Sequence, residues 1–157
     1  MKRVVVITLC SLLANLLMSN LVRSEGYDRK DFNFHSYKPN TSTGFYTNQS
    51  CDFINIDHVV SLKDAYESGA ASWSNSKKES FANDTSNHVP SCGPVNSSKG
   101  SAGPSDFLRR SNDGKGLEYE IVRFCEYVKT YYAVKQKYGL SFRGNSKNTF
   151  ATCGISL

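Results

Sequence analysis

The dipeptide Asp57-His58 closes the segment Phe53-Ile54-Asn55-Ile56-Asp57-His58. Its side chains alternate as on a strand, with Ile54, Ile56 and His58 on one side and Phe53 and Asn55 on the other, so His58 falls at a strand end. A carboxylate beside a strand-end imidazole can ligate a hard cation while the ring faces a water molecule. Taken alone the dipeptide is common and says little. Residues further along the chain add amide and amine groups. Asn87 opens a second possible strand, Asn87-His88-Val89-Pro90, and Asn96-Ser97-Ser98-Lys99-Gly100 comes next.

The elements that must position these residues are readable in outline. Gly44-Phe45-Tyr46-Thr47 reads as a short strand. Ser61-x-x-Asp64 resembles a capping box with Asp in place of Glu, and predicts a short helix that stops at Gly69. Trp73, Lys77 and Phe81 recur every four residues, which suggests a second helix with Trp73 and Phe81 turned inward. Residues 96–106 are rich in Ser, Gly and Lys and hold a helical turn at most. Leu117, Ile121, Phe124, Val128, Tyr131, Lys135 and Tyr138 form a stripe on one last, long helix ended by Gly139. The Lys135 stem is expected along that stripe with its amine in solvent. Residues 141–157 read as a tail.

Length and charge bound the rest. The 157 residues suffice for one small domain. Met1-Lys2-Arg3, followed by an apolar run from Val4 to Ala14, reads as a secretory leader cleaved near Ser24. Residues 25–42, punctuated by Tyr27, Phe32, Phe34 and Tyr37, read as an extended, weakly structured arm. With the leader removed, the net charge falls from +5 to +2. The remaining charge is uneven: residues 25–98 carry a net of −3 and residues 99–157 a net of +5. A basic C-terminal half fits a polyanion, although a solvated basic surface reads as well. Cys10 leaves with the leader. Cys51, Cys92, Cys125 and Cys153 stay, an even number that suggests two disulfides of an exported domain. None forms a Cys-x-x-Cys pair, which argues against a zinc knuckle.

Beyond single residues, the order of motifs resembles a known family. Asp57-His58-Val59-Val60-Ser61-Leu62 is followed by Ser68-Gly69-Ala70, Trp73, Phe81-Ala82-Asn83-Asp84, Asn87 and Asn96-x-x-Lys99-Gly100. Further on come Pro104, Arg123-Phe124-Cys125-x-Tyr127 and Val134-Lys135-x-x-Tyr138-Gly139-Leu140. Together they resemble the HNH endonucleases, in the branch found as the C-terminal domain of GmrSD-type restriction enzymes and as small exported proteins. The resemblance covers roughly residues 44–142. It implies an α+β fold, a ββα-metal finger with additional helices and a long C-terminal helix, stabilised by disulfides. It also implies a division into a leader over residues 1–24, the arm over 25–42 and an HNH-like nuclease domain over 43–157.

By the same resemblance, His58 is the general base that activates water, and Asp57 and Asn96 hold one divalent cation. Asn87 supports the finger and helps orient the base. Lys99 lies near the scissile phosphate. Hard oxygen donors favour Mg²⁺ or Mn²⁺ over Zn²⁺. Arg109, Arg110 and Arg123 are candidate phosphate contacts, each with a plain solvated reading beside it. Asp57 also reads as a hydrogen-bond acceptor within the fold. In such a finger, strands 53–58 and 87–91 pair antiparallel with Asp57 near His88, which brings Cys51 to Cys92 and leaves Cys125 to tie the tail through Cys153. The sequence departs from the family pattern at Ser61, where Pro is usual, and at His88, where Leu is usual.

The expectation is therefore a secreted or periplasmic, metal-dependent endonuclease acting as a monomer on DNA, with RNA as an open alternative and no stable membrane association. The alternative is a non-catalytic, disulfide-stabilised binding domain that keeps the finger as a scaffold.

Overall fold

A computed structural model describes residues 26–157. The expected leader and Cys10 lie outside the described residues. The strands are β1, Ile54–His58, and β2, His88–Cys92. The helices are α1, Leu62–Glu67; α2, Asn75–Ala82; α3, Gly93–Lys99; α4, Pro104–Arg110; α5, Phe124–Tyr138; and α6, Lys147–Ala151. Short 3₁₀ turns cover Arg29–Phe32, Ala70–Ser72 and Thr85–Asn87. The architecture is the expected α+β: a two-stranded sheet with helices around it and a long helix near the C-terminus. Among the described residues no helix is long and apolar enough to cross a membrane.

β1 and β2 pair antiparallel, with Asp57 opposite Val89 and His58 opposite His88. The register lies one residue from that expected. Pro90 does not end β2, because it pairs within the ladder with Ile56 while its carbonyl accepts from Phe45 N–H at 2.7 Å. α3 follows β2 without a loop. Pro94 sits in its first turn, where a missing N–H costs nothing.

Caps fix the helix boundaries. Ser61 accepts from Asp64 N–H at 3.0 Å and starts α1 as predicted. α2 begins only at Asn75, because Ser74 takes the N-cap and leaves Trp73 outside the helix, its ring 5.6 Å from Phe81. α5 begins at Phe124, seven residues later than the apolar stripe suggested, since Leu117 is exposed and Ile121 is buried from a loop. It stops at Gly139, whose φ of 65° is left-handed backbone that glycine adopts without strain. Residues 96–106 hold the end of α3 and the start of α4, more helix than the single turn expected. The tail carries α6, anchored by the fully buried Phe150.

The core is built largely from rings. Tyr46, Phe107 and Tyr127 meet edge to face with centroids 4.9–5.6 Å apart. Such pairs add about 0.5–1.5 kcal/mol each beyond their buried area. Tyr46 comes from a turn, not the expected strand; the segment around it contributes an isolated bridge between Thr43 and Ser50. The arm is also firmly placed. Phe32 is fully buried against Phe81, Asp31 pairs with Lys78 at 3.3 Å, and Asn83 accepts from His35 N–H at 2.8 Å. The arm thus belongs to the packed body.

Both expected disulfides are present, Cys51–Cys92 and Cys125–Cys153. Gly44 packs directly on the first. A Cβ there would stand 2.8 Å from Cys92 Sγ and 3.1 Å from Cys51 Sγ, so a side chain has no room. The Cys51–Cys92 bridge spans 41 residues. Loop-closure entropy for a ring of that size is worth about 4 kcal/mol. Replacing both cysteines by alanine should lower the urea unfolding free energy by about 2–4 kcal/mol under non-reducing conditions. An unchanged midpoint would show that the bridge contributes nothing.

Candidate active site

β1 delivers Asp57 and His58 to the wall of a cleft of about 320 Å³, and α3 delivers Asn96 to the same cleft. His58 is 4% exposed. Its Nε2 lies 2.8 Å from the carbonyl of Ala82, the last residue of α2. A carbonyl only accepts, so Nε2 carries the hydrogen and Nδ1 keeps the lone pair of the neutral ring. The same carbonyl accepts from His88 Nε2 at 2.9 Å, and His88 Nδ1 accepts from the Tyr37 hydroxyl at 3.1 Å. Phe34 stands edge to face with His58 at 4.6 Å and with His88 at 5.4 Å. The ring of His58 is thus held on three sides.

Burial, reinforced by the nearby His88, Arg29 and Lys99, lowers the His58 pKa to about 3, against the Ala82 hydrogen bond that raises it. Unfolded His58 gains a proton below about pH 6.5 while the folded ring does not. Its contribution to stability is therefore complete above pH 6.5 and is lost as pH falls towards 3. In metal-free buffer, wild type should lose stability relative to His58→Ala by about 1.4 kcal/mol per pH unit within that window. Parallel curves for the two proteins, from denaturant titrations at several pH values, would contradict this.

Asp57 is 5% exposed, and both carboxylate oxygens have partners. The Tyr46 hydroxyl donates to Oδ2 at 2.5 Å, and Lys99 Nζ lies 3.0 Å from Oδ2 and 3.3 Å from Oδ1. Lys99 Nζ also donates to the His58 carbonyl at 2.9 Å. Lys99, expected near the scissile phosphate, is here engaged with Asp57 and the His58 carbonyl. Its side chain is fully buried beneath the cleft because Asp57 and a backbone carbonyl satisfy it there.

Asn87 is fully buried. Its side chain accepts from Val60 N–H at 2.8 Å and donates to Val60 O at 3.0 Å, while its own carbonyl accepts from Val59 N–H at 2.8 Å. It clamps the chain leaving β1 and has no bond to the His58 ring. Asn96 is half-buried and, among the described residues, its side chain has no hydrogen-bond partner. The three arginines expected to contact phosphate lie apart. Arg109 pairs with Asp106 at 3.3 Å. Arg110 donates to the carbonyls of Ser98 and Lys99 at 3.2 and 3.1 Å, closing the end of α3. Arg123 donates to Asn48 at 2.9 Å. None of the three lines the His58 cleft.

Two contributors are not legible in the sequence. Tyr46 holds Asp57, and the only hint is that a buried tyrosine hydroxyl needs a partner. Arg29, from the arm, lines the cleft with His58 and Asn96.

An antiparallel strand pair is followed at once by a helix packed on both strands, a ββα unit with an imidazole at the strand end. The chain belongs to the family of GmrSD restriction endonucleases, C-terminal domain, which matches residues 15–152. Over 101 residues, 63% of the chain, it is 35% identical to an uncharacterized secreted protein of Arthroderma benhamiae. The match covers 45% of that protein, so the chain spans under half the length of this relative. No solved structure matches the chain.

Proposed function

We propose that the protein is an exported, metal-dependent endonuclease that hydrolyses phosphodiester bonds of DNA, with RNA as a second substrate to be tested. The supporting observation is the Ala82 carbonyl, which fixes His58 as the Nε2–H tautomer and frees Nδ1. Nδ1 is then the atom that takes a proton from the attacking water. Asn87 is a positioning residue that holds the backbone immediately after His58, and Lys99 positions Asp57 and the His58 carbonyl.

HNH-type nucleases generally use a divalent metal, and the donor set here fits a hard cation. Asp57 and Asn96 offer oxygens to one cleft. Among the described residues no three His, Cys, Asp or Glu side chains gather as a metal site, so water and substrate phosphate would complete the shell. This favours Mg²⁺ or Mn²⁺ over a zinc ion held by side chains alone. When bound, such a cation supplies charge stabilisation to the phosphate and the leaving oxygen. Export to an oxidising compartment rests on the two disulfides, the leader read over residues 1–24, and a relative described as secreted.

The test is incubation of purified, folded protein with supercoiled plasmid and with single-stranded RNA, with Mg²⁺ or Mn²⁺ and with chelator. Nicking that chelator abolishes is the expected result. DNA and RNA left intact with every divalent cation tried would overturn the reading.

A further inference from the structure

The His58 cleft does not end at Asn96. A second, larger groove of about 770 Å³ shares Arg29, Ile56 and Asn96 with it and runs along the arm past Lys30, Asn33 and Asn55. Arg29 stands at this junction and Lys30 in the larger groove. Other cations, among them Lys129, also lack an ion pair, but of the described Lys and Arg residues only Arg29, Lys30 and Lys63 line these two clefts, and Lys63 pairs with Glu67 at 3.8 Å. Among the described residues Arg29 and Lys30 have no carboxylate partner, and both are exposed. Arg29 lines the same cleft as Tyr27 and His58. Asp28, the one acid of the groove lining, caps the arm's 3₁₀ turn by accepting from Lys30 N–H at 2.9 Å. The arm that carries these residues is pinned by Phe32 and Asn83, so they project from a fixed base.

We propose that this arm-side groove binds the sugar-phosphate backbone flanking the scissile bond, with Arg29 on the phosphate at the junction and Lys30 on its neighbour. The inference rests on the nuclease reading for its catalytic meaning, but not for its test. A guanidinium without a carboxylate partner at the border of the cleft offers a planar fork that matches two phosphate oxygens. Asn33, Asn55 and Asn96 add amide groups along the same path, and such contacts position a strand without reading its sequence. The net charge of residues 25–98 is negative, so overall charge does not account for anion binding here; the local pair of cations does.

The test measures binding of a short labelled single-stranded DNA, and of RNA of the same sequence, by fluorescence anisotropy across a salt series. Full-length folded protein in a His58→Ala background leaves the probe uncut. Arg29→Ala should weaken binding roughly tenfold at about 50 mM salt and reduce the log–log salt slope by about 0.7. Arg29→Lys should keep most of the slope, since it retains the charge. Lys129→Ala, which removes an exposed charge from α5, should change neither. Equal losses from Arg29→Ala and Lys129→Ala, or no loss from Arg29→Ala, would overturn the proposal, as would the absence of binding at low salt. If the probe binds as described but wild-type protein cuts nothing, the nuclease reading falls and the groove stands. If wild type cuts but Arg29→Ala leaves KM and the salt slope unchanged, the groove falls and the nuclease reading stands.

Discussion

His58→Ala should keep its fold and lose about 10²–10⁴-fold in cleavage rate, the range for removal of a general base. The two effects separate here for a structural reason. Deleting the ring does not orphan the Ala82 carbonyl, because His88 Nε2 still donates to it at 2.9 Å. The cost to stability is then mainly the cavity beside Phe34 and His88. Single-turnover cleavage with excess protein, alongside a thermal melt, makes the comparison. Undiminished cleavage by folded His58→Ala would refute His58 as the base.

The low proton affinity of this ring sharpens the prediction. With a pKa of about 3 in the free protein, His58 is neutral throughout the ordinary working range. It never has to shed a proton before acting. A base must be unprotonated, so activity falls as pH drops through its pKa. The acid limb of kcat/KM, which reports the free protein, should therefore lie well below 6.5. A bound phosphodiester brings negative charge to the ring and raises its proton affinity. The acid limb of kcat should accordingly lie above that of kcat/KM. On the proposed mechanism, substrate would thus strengthen the base that activates the attacking water.

The features of this site that are legible in the sequence are local, and those that are not depend on distant partners. The strand that ends at His58 and the Ser61 cap are written in neighbouring residues, and both stand where they were expected. Gly139 ends α5 for an equally local reason. The register of β2 differs by one because nothing in residues 87–92 says which residue faces Asp57; the Asn87 clamp on Val60 sets it from outside the strand. The arm reads as extended and weakly structured because Phe32 and Phe34 sit among polar residues, and its anchors, Lys78, Glu79 and Asn83, lie more than forty residues away. Lysines are the hardest to place. Sequence reasoning sends an amine to the surface. Lys135 is nevertheless fully buried, because Asp64 at 2.8 Å, Ser68 at 3.0 Å and the Ser141 carbonyl at 2.9 Å receive its three hydrogens. Lys99 obeys the same rule beside Asp57.

Lys99→Met should destabilise the protein by about 3–5 kcal/mol, the usual cost of leaving one member of a buried ion pair alone. Asp57 would keep only the Tyr46 hydroxyl, at 5% exposure, and the His58 carbonyl would lose its donor. Adding Asp57→Asn removes the stranded charge and should restore part of the loss, leaving a coupling of about 0.5–3 kcal/mol in a double-mutant cycle. Urea unfolding of the four proteins measures it. If Lys99→Met unfolds at the wild-type midpoint, the pair does not hold the site together. Divalent cations provide an independent check. A cation on Asp57 in wild type shares the carboxylate with an ammonium 3.0 Å away, and like charges at that distance repel. Lys99→Met removes the competitor while leaving the negative charge. Mg²⁺ should therefore stabilise Lys99→Met more than it stabilises wild type, and the doubly substituted protein least. Equal stabilisation of all three would mean that Asp57 is not where the cation binds, and that its role ends with holding Tyr46 and Lys99 beneath His58.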